Sequence, residues 1–128
     1  MGRTVMVVED DPDNLDSLVD LLVDEGYEVL TARSGREACE RLGRAEPCLV
    51  ISDYLLPDMT GGDLLRRMRE DRPDRPVPMI ILTAVSGPAV AKLDAPVLTK
   101  PVTVEDLLNV LCRYCDPPSP SRVRAACP

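Results

Sequence analysis

Five short apolar runs alternate along the chain with segments whose apolar residues recur at helical spacing. This alternation constrains the fold more than any other feature, because repeated strand–helix units favour a parallel sheet with helices on both faces. The first run is rich in β-branched residues, which is typical of a strand buried on both faces. The strands are predicted within RTVMVVEDD, YEVLTA, CLVIS, VPMIILTA and APVLTKP. We therefore expect a doubly wound α/β fold.

Capping residues indicate where the helices begin and end. Asp11 precedes the first helical segment and Gly26 follows it, which suits an N-cap and a stop signal. Ser34 and Glu37 have the spacing of a capping box at the start of the second segment. The fourth segment has room for only a clipped helix, around residues 88–92.

Length and charge limit what the chain can be. Its 128 residues suit one domain, which is large enough to fold without a metal or a disulfide. The net charge of −7 argues against nucleic acid or an anionic membrane as a partner. No apolar stretch approaches the ~20 residues of a membrane span and the start of the chain is not a signal peptide, so we expect a cytoplasmic protein. We assign residues 1–115 to the domain and residues 116–128, rich in proline and serine, to a disordered tail or truncated linker.

The five cysteines form an odd set without the spacing of a disulfide framework. Because no secretion signal is evident, we expect all five to be reduced thiols. Cys39 and Cys48 lie on apolar faces, where the simplest role is that of a small buried hydrophobe. Cys112 and Cys115 form a CxxC pair, but it falls late in a predicted helix rather than at a helix N-terminus, where thiolates are stabilised.

Charged and polar side chains stand at the carboxyl ends of four predicted strands, where open parallel sheets bind their ligands. They are Glu9, Asp10, Asp53, Thr83 and Lys100. Three acids at one edge repel one another and need a compensating cation, and oxygen ligands suit Mg²⁺ or Mn²⁺. A carboxylate beside a metal, a lysine and a hydroxyl is an arrangement suited to phosphoryl transfer.

Four stretches resemble the CheY-like receiver domain of bacterial two-component response regulators: VMVVEDD, VISDYLLPDMTG, IILTA and LTKP. The resemblance covers nearly all of residues 4–114 and implies a flavodoxin-like (βα)5 sheet of strand order 2-1-3-4-5 with a shortened fourth helix. It implies that Asp53 is the phosphoacceptor and that Glu9 and Asp10 hold Mg²⁺ together with it. The backbone carbonyl of Leu55 would be a further metal ligand.

The resemblance also assigns roles around the phosphoacceptor. Thr83 matches the switch hydroxyl, and Lys100 matches the lysine that contacts the phosphoryl group. Ala84 matches a position where a small residue leaves access to the site. A cis peptide bond is implied before Pro101.

A protein of this kind would accept a phosphoryl group and switch its conformation, without turnover as an enzyme. The chain contains no histidine, so the donor would be a second protein, either a sensor histidine kinase or a histidine phosphotransfer protein. The resemblance suggests a monomer or weak dimer. It identifies neither the cognate kinase nor the downstream effector, nor whether the chain stands alone or is a fragment of a larger regulator.

Three features depart from the family pattern. Residues 83–100 form a shorter segment than is usual, Val97 stands where many members carry an aromatic switch residue, and Val102 stands where phenylalanine is common. Valine has one stiff χ1 torsion and no ring to swing. We therefore expect residues 85–95 to be the mobile element and to carry the signal by their ordering or displacement.

Three other functions remain open. A phosphatase with an aspartate nucleophile would carry a second aspartate where this chain has Leu55. A thiol redox protein would use Cys112 and Cys115, whose position in a helix is unfavourable for that chemistry. A pseudo-receiver would serve only as a docking surface, which the complete set of acids, threonine and lysine argues against.

Overall fold

The computed structural model describes residues 4–74, 77–84, 87–93 and 95–115. Strands and helices alternate strictly through this part of the chain. The strands are β1 (Thr4–Val8), β2 (Glu28–Ala32), β3 (Leu49–Asp53), β4 (Met79–Thr83) and β5 (Val97–Thr99). The helices are α1 (Pro12–Asp24), α2 (Gly35–Leu42), α3 (Gly61–Asp71), α4 (Pro88–Ala91) and α5 (Val104–Tyr114).

The strands form one parallel sheet in the order β2-β1-β3-β4-β5. This confirms the predicted fold and strand order. β1 pairs with β2 on one side and β3 on the other, and residues 5–8 of this central strand are buried. The predicted tail, residues 116–128, lies outside the described residues.

Successive residues of each central strand face two separate apolar cores. On one face of the sheet, Val7 of β1 belongs to a cluster with Leu22 of α1 and Leu107 of α5. On the other face, Met6 belongs to a cluster with Leu64 of α3 and with residues of α2. Because side chains alternate across a strand, a single apolar run supplies both cores. The sheet is therefore covered by helices on both faces, as a doubly wound fold requires.

The helix ends follow the predicted signals with one difference. Asp11 caps α1 by accepting a hydrogen bond from the Asp13 N–H at 3.0 Å. Ser34 caps α2 by accepting from the Glu37 N–H, but the Glu37 carboxylate accepts from the N–H of Arg33 at 2.6 Å rather than from that of Ser34. The reciprocal bond of a capping box is thus shifted by one residue, and the Arg33 N–H lowers the pKa of Glu37.

A complete capping box instead begins α3, the helix that follows the loop after Asp53. The Thr60 hydroxyl accepts from the Asp63 N–H at 3.1 Å, and the Asp63 carboxylate accepts from the Thr60 N–H at 3.2 Å. These bonds satisfy two backbone donors that the helix itself cannot pair. The bond from the Thr60 N–H also lowers the pKa of Asp63, because it favours the charged carboxylate.

α4 is a single turn, as the short fourth segment predicted. Leu93, just beyond it, packs into the core beside α3. A Cβ atom at Gly62 of α3 would lie 2.8 Å from Cδ2 of Leu93, so a side chain at position 62 would require the end of Leu93 to shift. Residues 85, 86 and 94 lie outside the described residues, and the expectation that residues 85–95 are mobile stays a prediction.

The prediction that all five cysteines are reduced thiols is wrong, because Cys48 and Cys115 form a disulfide. They are 67 positions apart in sequence, and the fold brings the start of β3 beside the end of α5. Cys112 is also disulfide-bonded, whereas Cys39 is a free, partly buried thiol. Closing a loop of this length restricts the unfolded chain and stabilises the folded state by about 4 kcal/mol in the chain-entropy description.

Replacing Thr60 by alanine should lower the free energy of unfolding by about 1 kcal/mol, because the N-cap hydroxyl is lost. Serine at the same position keeps the hydroxyl and is the matched control. Urea unfolding monitored by circular dichroism measures both variants. Equal stability of the alanine and serine variants would show that the cap contributes nothing.

Candidate functional site

The parallel strands bring the three predicted acids together at one edge of the sheet. One carboxylate oxygen from each of Glu9, Asp10 and Asp53 lies within 4.8 Å of the others. Glu9 is buried, Asp53 is partly buried and Asp10 is exposed. The ladder pairs β1 with β3 in parallel, so residues that follow Val8 and end β3 must reach the same edge.

Lys100 supplies the positive charge at this edge. Its Nζ atom lies 2.6 Å from Asp53 Oδ1 and 3.6 Å from Glu9 Oε1, and its side chain is 27% exposed. Burial acts to lower the pKa of Lys100, but the hydrogen bond to Asp53 and the charges of both acids outweigh it and raise the pKa above its ordinary value. Lys100 is therefore held as an ammonium ion against the carboxylate of Asp53.

Glu9 is the most deeply buried acid of the cluster, with 2% of its surface exposed. Its backbone N–H donates to the Ala32 carbonyl at 3.0 Å, which extends the β1–β2 ladder to this residue. Its carboxylate accepts from the Asp11 N–H at 3.2 Å. Burial raises the pKa of Glu9; the Asp11 N–H opposes this effect, and the negative charge of Asp53 adds to it. The buried charge makes this edge costly in the absence of a further cation.

Thr83 lies at the end of β4, between the strands that carry Asp53 and Lys100. It is 2% exposed, and its carbonyl accepts from the Lys100 N–H at 2.8 Å. Ala84 follows and is exposed. The peptide bond between Lys100 and Pro101 is cis. A backbone hydrogen bond therefore joins the end of β4 to Lys100, the residue whose side chain pairs with Asp53.

Val97 and Val102 are both partly buried, on opposite faces of the sheet. Val97 packs with the cluster that includes α3, and Val102 packs with the cluster that includes α5. Neither position carries a ring.

The loop after Asp53 folds back tightly on the strand. The Tyr54 N–H donates to the Leu82 carbonyl at 2.8 Å, and the Gly61 N–H donates to the Tyr54 carbonyl at 2.6 Å. A Cβ atom at Gly61 would lie 3.1 Å from the Asp53 carbonyl oxygen and 3.2 Å from the Tyr54 Cα atom. Glycine therefore lets the start of α3 approach the backbone of Asp53. Leu55, whose carbonyl is the predicted metal ligand, pairs with Thr60 across this loop and has a side chain facing solvent.

Asp58 is a residue of this loop that the sequence did not single out. Its carboxylate accepts hydrogen bonds at 2.9 Å from the N–H groups of Gly35 and Arg36, at the start of α2. Burial acts to raise the pKa of Asp58, but these two donors outweigh it and lower the pKa. Asp58 thus ties the loop to a neighbouring helix. The only signal in the sequence is an acid within the proline-containing turn, which does not say what the acid binds.

The donors at this edge fit a hard divalent ion. The clustered ligands are carboxylates, and the predicted fourth ligand is a backbone carbonyl, all of them oxygen donors of the kind that Mg²⁺ and Mn²⁺ prefer. Burial raises the pKa of Glu9 and the charge of Asp53 adds to this effect, so a cation at this position would favour the charged carboxylate. The cluster could therefore hold a metal ion beside Asp53.

Comparison with known proteins identifies the class. Residues 5–111 match the response regulator receiver domain family. The match includes the acidic cluster, Thr83 and Lys100. The chain therefore belongs to the response regulator receiver domain family, whose general role is in two-component signalling.

Individual relatives agree with this assignment. The chain is 37% identical over 116 residues to an uncharacterized 14.6 kDa protein of Leptolyngbya boryana, covering 87% of this chain and 88% of that protein. It is 34% identical over 84 residues to the polar-differentiation response regulator DivK of Brucella ovis, covering 66% of this chain and 68% of that protein.

Solved structures share the fold over most of their length. The receiver domain of a signal transduction histidine kinase from Syntrophus aciditrophicus matches with a TM-score of 0.80 and 32% identity, covering 88% of this chain and 89% of that one. Chemotaxis protein CheY4 of Vibrio cholerae matches with a TM-score of 0.80 and 31% identity, covering 89% of this chain and 99% of that one.

Within the described residues, no helix is both long and apolar enough to cross a bilayer.

Replacing Glu9 by glutamine should stabilise the protein at neutral pH without divalent ions. The substitution removes a buried negative charge that repels Asp53. Because the pKa of Glu9 is raised in the folded state, the folded protein binds this proton more tightly than the unfolded chain. The wild type therefore loses stability as the pH rises above the ordinary value of 4.5, and the variant avoids this loss.

Urea unfolding at mildly acidic and neutral pH tests this expectation. The exposed Asp10, changed to asparagine, is the matched control and should give a smaller gain. Mg²⁺ should stabilise the wild type more than the Glu9→Gln variant. A glutamine variant that is less stable than the wild type at neutral pH would contradict the expected repulsion.

Proposed function

We propose that this protein is the phosphoacceptor of a two-component phosphorelay and that Asp53 receives the phosphoryl group. The observation that carries the proposal is the pairing of the Asp53 carboxylate with Lys100 at 2.6 Å inside a cluster of three acids. A carboxylate held between an ammonium ion and a site suited to a divalent ion is screened well enough to approach a phosphoryl group.

The reaction would transfer the group from a phosphohistidine of the donor. An Asp53 carboxylate oxygen attacks phosphorus, the new O–P bond forms as the P–N bond breaks, and the departing imidazole nitrogen takes up a proton. The Lys100 ammonium group, which pairs with the free carboxylate, would then pair with a phosphoryl oxygen instead. The exposed Ala84, beside buried Thr83, leaves room for the incoming group.

Glu9, Asp10, Asp53 and the backbone carbonyl of Leu55 would hold Mg²⁺ or Mn²⁺. The ion would neutralise negative charge on the transferred phosphoryl oxygens. The hydrogen bonds of the folded-back loop keep the backbone near Leu55 in place. Asp58 reinforces this loop through its two bonds to the start of α2.

Switching would begin at Thr83, which ends β4, the strand that pairs with β3 and so lies beside Asp53 in the sheet. Because the Thr83 carbonyl accepts from the Lys100 N–H, movement at the end of β4 is transmitted to β5. Phosphorylation would bias a pre-existing two-state equilibrium through its different contacts in the two states. With valine at position 97, residues 85–95 rather than a swinging ring would carry the change.

The broader setting follows from this chemistry. A sensor histidine kinase or a histidine phosphotransfer protein would donate the group, and a downstream effector would read the new surface. The protein would act in the cytoplasm as a monomer or weak dimer, without turnover as an enzyme. Leu55 disfavours the phosphatase alternative, since it offers no second carboxylate two positions beyond Asp53.

Incubation with acetyl phosphate and Mg²⁺ should add one phosphoryl group, which intact-protein mass spectrometry detects. The Asp53→Asn variant should show no addition, because the amide is not a nucleophile for this reaction. A chelator should abolish labelling of the wild type. Undiminished labelling of the variant, or labelling that is indifferent to the chelator, would remove Asp53 or the metal from the proposal.

The Thr83→Ala variant should still be phosphorylated but should lose most of the conformational response to beryllofluoride. Thr83→Ser keeps the hydroxyl and is the control that should respond like the wild type. Hydrogen exchange in residues 85–95 gives the readout, since protection should rise on activation only where the hydroxyl is present. An alanine variant that responds as fully as the serine variant would refute the switch role.

A further inference from the structure

The end of the sheet opposite the acidic cluster carries a disulfide that the proposed phosphoryl chemistry does not use. Cys48 directly precedes β3, and Cys115 is the C-cap residue of α5. Their Cα atoms are 5.3 Å apart, within the range that a disulfide bridges without moving the backbone. Asp53 stands at the other end of β3, so this bond and the proposed phosphoacceptor occupy the two ends of one strand.

The surroundings of Cys48 suit a thiol as well as a disulfide. Cys115 is 7% exposed in the core cluster that includes Leu111, and its N–H donates to the Leu111 carbonyl at 2.8 Å. Cys48 is only partly buried, and its Sγ atom lies 3.2 Å from the Thr4 carbonyl oxygen. As a thiol, Cys48 would donate its hydrogen to that oxygen. After reduction, the Cys48 thiol therefore has a hydrogen-bond acceptor in place.

The compartment favours a bond that forms and breaks. A receiver that is phosphorylated from a kinase works in the cytoplasm, where glutathione and thioredoxin keep stable disulfides rare and those that form are usually transient or redox-sensing. This step rests on the proposed function. We propose that Cys48 and Cys115 are a reversible thiol–disulfide site, a second input that is chemically independent of Asp53.

The reaction needs a dithiol reductant of the thioredoxin class and balances in two steps. A reductant thiolate attacks Sγ of Cys48, the more exposed of the two residues, and Cys115 departs as a thiolate that takes up a proton. The second thiol of the reductant then attacks the mixed disulfide and releases Cys48 as a thiol. The protein gains two electrons and two protons, and the reductant becomes a disulfide. Glutathione disulfide drives the reverse direction.

The expected consequence lies in α5. The disulfide closes a covalent ring that contains both Asp53 and Lys100, because it joins the start of β3 to the end of the helix that follows β5. While the ring is closed, the last turn of α5 is held against the sheet. Reduction opens the ring at that turn. The bond therefore sets how far the end of α5, and the chain that continues from it, can move.

The test equilibrates the full-length protein in glutathione buffers of increasing reduced-to-oxidised ratio, then alkylates free thiols and maps peptides. Peptide mapping distinguishes alkylation of Cys48 and Cys115 from alkylation of Cys112. Over part of the range, Cys48 and Cys115 should become alkylated while near-ultraviolet circular dichroism still reports a folded protein. Hydrogen exchange at the end of α5 should become roughly tenfold faster, with β1 unchanged.

Two variants make the outcome specific. Cys48→Ser should show the fast exchange at the end of α5 in every buffer, whereas Cys39→Ser, which removes a free thiol, should behave like the wild type. The proposal is overturned if the pair is alkylated only when the whole protein unfolds, or if no buffer yields the bond. No phosphodonor is present, so neither result depends on whether Asp53 is phosphorylated.

Discussion

The ion pair between Lys100 and Asp53 offsets the negative charge that this sheet collects at its carboxyl edge. Three carboxylates meet there, and the one on Glu9 is almost fully buried. Each would raise the energy of the others without a nearby cation. Lys100 comes from β5, two strands away from β3, and the bond from its N–H to the Thr83 carbonyl fixes its backbone to the strand between them. The geometry of the site therefore depends on three adjacent strands being in register.

The two ends of β3 have different physical characters. One end carries the acidic cluster and Lys100 beside solvent. The other end is apolar and covalently joined to α5. Between its two ends the strand is fully buried from Leu49 to Ser52, and close packing there leaves it little room to deform. A stiff element that joins a charged end to an anchored end suits the change of surface that we propose for this protein.

Much of this structure was predictable because the signals are local. Apolar runs of strand length gave the sheet, and residues directly after those runs gave the site, since parallel strands end at a common edge. The disulfide between Cys48 and Cys115 was not predictable, because its partners are 67 positions apart and, unlike the residues at strand ends, no pattern in the sequence marks them as neighbours. The Asp58 bonds to α2 have the same non-local origin. The predicted bond of Glu37 was wrong for a different reason. The N–H groups of two neighbouring residues compete for its carboxylate, and the sequence pattern does not determine which of them donates.

The contact between Gly62 and Leu93 determines how the segment after α4 rests on α3. A Cβ atom at position 62 would lie 2.8 Å from Cδ2 of Leu93, which is the end of a flexible side chain. A small side chain at position 62 would therefore shift the end of the Leu93 side chain rather than the backbone. The packing of this short segment can thus adjust without a change in the sheet.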